Sequence, residues 1–300
     1  MSTPSQIVSF PGELVGAYDS CVSKGDPLAQ DGSRASGTWL VITALSLLPW
    51  SMAVNLWFAE QGLYRPLLHA SGGWLQPALQ VCFPSFLLYL VFFRLGGLRS
   101  RDLGLERARL LPGVLATLVL WFLSNAVAYA ALGESSAPAA SMTRAPAATY
   151  GPLLAQLCGN ALWEETVYRG FFLTQLYRWS CEQGSSRRQS LFFAVLLSAL
   201  AFALPHIPNR LYRHQYETLS SALLDQGRLL ITGCFLAWVY LRTKNLWWLI
   251  GMHSLANAPT LLVGWQGPVS LKFLISLLAT ILTVLWPWLF QRRAAAAPIR

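Results

Sequence analysis

Charge is what this sequence has least of. Only 12% of its 300 residues are charged, about half the roughly 25% of a soluble chain, and the 13 Asp and Glu are outnumbered by 22 Lys and Arg. With 54% hydrophobic residues and a mean hydropathy of +0.44, a water-soluble domain is excluded and a bilayer is the implied solvent. The five cysteines, Cys21, Cys82, Cys158, Cys181 and Cys234, form no CxxC pair. They suggest neither a disulfide framework nor a zinc knuckle and read as small buried hydrophobes. The helical zinc-protease pattern HExxH is absent, and so is any internal repeat. Residues 1–37 contain no apolar core behind a positive start, so they are expected to be a solvated tail and not a cleaved signal peptide. The net charge of +9 does not point to nucleic acid, because a polytopic protein gathers Lys and Arg in its cytoplasmic loops.

What remains is a succession of long apolar runs. They fall near Thr38 to Phe58, Trp74 to Phe93, Leu110 to Leu132, Leu153 to Tyr177, Ser190 to Pro205, Leu229 to Leu241, Leu246 to Val263 and Leu271 to Phe290. At about 20 residues per crossing this predicts an all-α polytopic membrane protein of about eight transmembrane helices. The Leu229 run is short unless it begins near Leu223. The expected organisation is a cytoplasmic tail over 1–37, one membrane-embedded domain over 38–290 and a cytoplasmic tail over 291–300.

Loop charge predicts the orientation. With a cytoplasmic N-terminus, the inside segments hold 15 of the Lys and Arg and the far side holds six: Arg65, Arg144, Arg210, Arg213, Arg228 and Lys272. The bias places both termini in the cytoplasm. Ala137 to Ala148 is expected to be an irregular far-side loop, and Ile207 to Arg228 an amphipathic segment along the interface.

One run contains charge where lipid should be: Trp163-Glu164-Glu165-Thr166-Val167-Tyr168-Arg169-Gly170. Each ionised side chain at a helix centre costs about 2.5 to 3.5 kcal/mol on insertion scales, so three unpaired ones would cost roughly 8 to 10 kcal/mol. Glu165 and Arg169, four apart, can pair on one face. Glu164, about 100° further round, must then find its partner on another helix. Two adjacent carboxylates in low dielectric cannot both ionise freely, which is the condition for a general base or acid near neutral pH. Two later runs could answer it. Phe202-xxx-His206 sits beside Pro205, which should stop or kink its helix and turn the imidazole inward, and His253-xxx-Asn257 puts an imidazole and an amide one turn apart.

These three motifs, in this order on separate apolar runs, resemble the CPBP family of intramembrane proteases, which includes the type II CAAX prenyl endopeptidases and bacteriocin-processing enzymes. Arg101-Asp102-Leu103-Gly104-Leu105 is similar to the short linker that precedes the catalytic half in that family, and the likeness covers about residues 101–259. The resemblance implies a bundle of the CAAX type II protease kind and hydrolysis by a glutamate-activated water, with no cofactor and no required metal. It implies Glu164 as the base, assisted by His206, with His253 and Asn257 as the oxyanion site and Glu165 and Arg169 as a supporting pair. The implied substrate is a membrane-anchored protein or peptide, trimmed at a tail or a leader, and the implied location is the inner membrane of a bacterial cell. Two other readings stay open on the residues alone. Glu164, His206 and His253 contain the donor types of a His₂Glu zinc site. A non-catalytic scaffold or a proton-relay transporter could also carry buried carboxylates, though a relay has no use for His253 with Asn257.

Overall fold

Ser36 opens the first helix, its hydroxyl accepting the Trp39 N–H, and the chain then crosses and recrosses as helices with no strand among the described residues. The computed structural model describes residues 33–131, 146–262, 265 and 269–291. The elements are α1 Gly37–Glu60, α2 Arg65–Ala70, α3 Pro77–Leu95, a 3₁₀ turn Ser100–Leu103, α4 Arg107–Ala131, α5 spanning 146–182, α6 Arg187–Ala203, α7 His206–Tyr212, α8 Leu219–Thr243, α9 Leu246–Asn257 and α10 Leu271–Trp286. Among the described residues, six helical stretches are long and apolar enough to cross a membrane: Gly37–Glu60, Pro77–Leu95, Ser100–Ala131, Arg187–Tyr212, Leu219–Thr243 and Leu271–Phe290. Their outer faces leave Leu45, Leu111, Phe122, Phe192 and Ile231 more than 60% exposed. Water would not tolerate so much apolar surface, whereas hydrocarbon demands it. The protein is an all-α polytopic membrane protein.

Two further helices, α5 and α9, carry the Glu164-Glu165-xxx-Arg169 and His253-xxx-Asn257 motifs. α5 is buried at every residue from Ala161 to Gln175, and a helix buried all round is the centre of its bundle; α3, α6 and α9 pack against it. α9 has 12 residues, about 18 Å of helix against roughly 30 Å of hydrocarbon. It ends at Asn257 because Pro259 disfavours a helical Ala258, whose φ and ψ are −135° and 69°. The expectation of a helix from Leu246 to Val263 is corrected accordingly. α8 starts ten residues before Leu229, capped by Thr218 through the Ser221 N–H. The expected interfacial segment Ile207 to Arg228 is therefore divided between α7, a turn and the first turns of α8. Of the expected loop Ala137 to Ala148, the part before Pro146 lies outside the described residues, as do most of the N-terminal tail and residues 292–300. The cysteine expectation needs one correction: Cys82, Cys158 and Cys234 are free, but buried Cys181 is disulfide-bonded.

Small residues set how closely the helices approach. A side chain at Gly233 of α8 would stand 2.8 Å from the Ala199 β-carbon of α6. One at Gly170 of α5 would collide with the Leu103 carbonyl oxygen, so Gly170 is what lets the Arg101 to Leu105 linker lie on the helix that bears the glutamates. Gly104, at φ +78°, turns that linker away again.

Candidate active site

α5 is not a uniform helix. Wide π-helical turns at Gln156–Asn160 and Thr166–Leu173 flank the α-helical Ala161–Glu165, and such turns shift the angular phase of the side chains that follow. The two glutamates, adjacent within the α-helical segment and so about 100° apart, face different neighbours. Glu165 is wholly buried and accepts from Arg169 Nη1 at 3.2 Å, as the spacing of four predicts. Arg169 Nη2 donates to the Gly233 carbonyl at 3.1 Å, and the guanidinium lies over the Phe202 ring, 4.6 Å from its centroid. That one cation thereby ties α5, α6 and α8 together.

Glu164 faces the other way, into a cavity of about 1080 Å³. Its Oε1 is 3.9 Å from His206 Nε2 and its Oε2 is 3.7 Å from His253 Nε2. The helix break at Leu204 and Pro205 brings His206 there. The imidazole Nδ1 lies 2.8 Å from the Phe202 carbonyl; a carbonyl only accepts, so Nδ1 carries the proton and Nε2 is left for Glu164. The chain around the break is held to α1, where the Ser51 hydroxyl donates to the Pro205 carbonyl and Asn55 Oδ1 accepts from Asn209 at 2.7 Å. His253 Nδ1 lies 2.6 Å from Glu165 Oε1, which fixes the ring with Nε2 toward Glu164. The Phe202 ring packs edge-on to both imidazoles, with centroids 4.9 and 6.4 Å away.

Of the six residues singled out in the sequence, Glu164, His206, His253 and Asn257 line the cavity, while Glu165 and Arg169 stand behind it. Asn257 is exposed, and its amide donates to Gln156 Oε1 at 3.2 Å. Gln156 and Asn160 also line the cavity and are not among those six, although their placement about two turns and one turn before Glu164 is legible as Gln156-xxx-Asn160-xxx-Glu164. The Gly233 carbonyl had no sequence signal at all, since a backbone acceptor carries none. At the cavity wall outside the spans, burial and the neighbouring Cys82 thiol push the Tyr64 phenol up to about 12, so it remains a donor, to the Val54 carbonyl at 2.6 Å. Among the described residues no group of three or more His, Cys, Asp and Glu is arranged to hold a metal ion.

No curated protein and no solved structure matches the chain. One family model does match, over residues 146–259: type II CAAX prenyl endopeptidase Rce1-like. The matched stretch starts with α5 and ends two residues beyond Asn257, so it contains both glutamates, Arg169, both imidazoles and the amide. Residues 146–259 are thus similar to the Rce1-like type II CAAX prenyl endopeptidases, a membrane protease family, and they lie within an all-α polytopic membrane protein.

Proposed function

We propose that the protein is an intramembrane endopeptidase in which Glu164 activates the attacking water. One observation carries the reading: a buried carboxylate on α5 is faced across one cavity by imidazole nitrogens from two other helices, at 3.9 and 3.7 Å. Both separations exceed direct hydrogen-bond reach and match the span that one water bridges. Glu164 takes a proton from that water as its oxygen attacks the scissile carbonyl carbon. His206, with Nε2 free to accept, helps to hold the same water. The negative charge that develops on the carbonyl oxygen is met by donors from α9, His253 Nε2–H and the second N–H of the Asn257 amide. Because Glu165 accepts at Nδ1, a donating Nε2 requires His253 in its doubly protonated form, and the adjacent Glu165 balances that charge. The tetrahedral intermediate then collapses: the C–N bond breaks and Glu164 returns its proton to the leaving amine.

The substrate is a membrane-associated protein or peptide, cut at a tail or a leader. The family name points to a CAAX-type C-terminal tail as one such substrate. The protein lies in a bacterial inner membrane with both termini in the cytoplasm, as the loop charge implies. The test is peptide mapping of the membrane proteome from cells carrying the wild-type chain, Glu164→Gln or no copy. A precursor that accumulates equally without the gene and with Glu164→Gln supports the reading. A precursor processed normally by Glu164→Gln refutes it.

A further inference from the structure

The cavity that holds Glu164 is unevenly charged. Arg210, Arg213, Arg228 and Lys272 line it together with a single carboxylate of their own surroundings, Asp225. Arg210 and Arg213 follow His206 on and just after α7, about 6 and 10 Å further along at 1.5 Å per residue. Arg228 lies one turn beyond Asp225 on α8, and Lys272 stands in the first turn of α10. Asp225 is already committed: its Oδ2 accepts from Arg210 Nε at 3.2 Å and from the Tyr216 hydroxyl at 2.9 Å. The second arm of Arg210 goes to Gln215 at 3.0 Å. Arg213, Arg228 and Lys272 have no ion pair among the described residues, and the other carboxylate of this loop, Glu217, does not line the cavity.

The placement runs against the general trend of the molecule. Loop charge makes this face the side with fewer basic residues, six against 15, yet four of those six gather on one cavity. Cations kept only for lipid headgroups would be spread around the outer rim, whereas these line the same cavity as Glu164. Three cations without an ion pair among the described residues give the cavity a basic end, to which an anionic group is drawn.

We propose that this basic end binds a carboxylate of the substrate peptide, at Arg213, Arg228 and Lys272, and so lays the chain across the cavity with its scissile carbonyl toward Glu164. The direction of the chain rests on the hydrolytic reading above; the carboxylate site does not. That carboxylate is either the C-terminal one or an acidic side chain, and the experiment separates the two.

The test is fluorescence anisotropy with the full-length Glu164→Gln protein, which is not expected to turn over, in nanodiscs of phosphatidylcholine. The probe is a fluorescein-labelled, N-lauroylated Ala/Leu octapeptide in three forms: free C-terminal carboxylate, C-terminal amide, and amide with Asp at the penultimate position. The proposal expects one or both carboxylate forms to bind about tenfold or more tightly than the neutral amide, with the margin shrinking as salt is raised. The margin should vanish when Arg213→Gln, Arg228→Gln and Lys272→Gln are combined, and persist when Arg213→Lys and Arg228→Lys are combined, which keeps the charge and controls for folding. Equal or absent binding of all three forms overturns the proposal, as does a margin that survives the triple neutral variant. Loss of the wild-type margin when phosphatidylglycerol replaces part of the lipid also overturns it, by making the basic end a headgroup site. Discrimination without any processed precursor in cells would leave the carboxylate site standing and remove the hydrolase reading; processing without discrimination does the reverse.

Discussion

His253 is bonded through Nδ1 to Glu165, at 2.6 Å, and not to the neighbouring Glu164, which its Nε2 faces from 3.7 Å. The adjacent glutamates therefore have different surroundings, one facing the cavity and one buried behind the ring. Glu165→Gln keeps the side-chain volume but removes the charge that balances a doubly protonated His253. Processing of the precursor is expected to fall by about 10²- to 10⁴-fold, the range for removing a group that orients or charges a catalytic imidazole, while expression in the membrane changes little. Pulse-chase labelling of the accumulating precursor measures both. Unaltered processing would detach Glu165 from the chemistry.

Glu164→Ala and Glu164→Gln should each lower cleavage by about 10²-fold or more, since neither side chain can take a proton from water. With purified enzyme in detergent, added chelator is expected to leave the rate unchanged. A rate lost to chelator and restored by zinc would favour the His₂Glu site instead.

Arg169→Leu is expected to destabilise the protein by about 3 to 5 kcal/mol, because it deprives the buried Glu165 charge of its guanidinium partner. The Gly233 carbonyl loses its donor as well. The double change Glu165→Leu with Arg169→Leu should recover much of that stability without recovering activity. A thermal melt of the detergent-solubilised variants reads the first effect and precursor processing the second. A double variant no more stable than Arg169→Leu would contradict the pairing.

Two glycines should respond in opposite directions. Gly170→Ala drives a methyl group into the Leu103 carbonyl and should cost about 1 to 3 kcal/mol, separating the Arg101 to Leu105 linker from α5. At Gly227, within α8, an added methyl meets nothing within 4 Å, and Gly227→Ala should gain roughly 0.5 to 1 kcal/mol from helix propensity. Melting temperatures that move the same way in both would refute the close approach at Gly170.

Much of this was legible in the linear chain. Low charge and long apolar runs identify the solvent, because unpaired polar groups in hydrocarbon cost several kcal/mol each, and the Glu165 to Arg169 spacing of four anticipated an ion pair that is present at 3.2 Å. The stop at Pro205 and the inward turn of His206 follow from proline chemistry that any reader of the sequence has in hand. Pro259 shortens the seventh run in the same way, because it restricts Ala258 where hydropathy alone would continue the helix.

Membrane residence, the helical class and the identity of the polar residues are thus properties of the sequence, since composition and local spacing suffice to set them. Which glutamate meets which imidazole is decided by the tertiary structure alone. Adjacent residues on a helix differ by about 100° of direction, and the wide turns on either side of Glu164 and Glu165 shift that phase by amounts no residue pattern reports. The Gly233 carbonyl beneath Arg169, the Gln156 amide beneath Asn257 and the presence of Arg213, Arg228 and Lys272 in the lining of one cavity likewise arise only when helices distant in the chain close around α5.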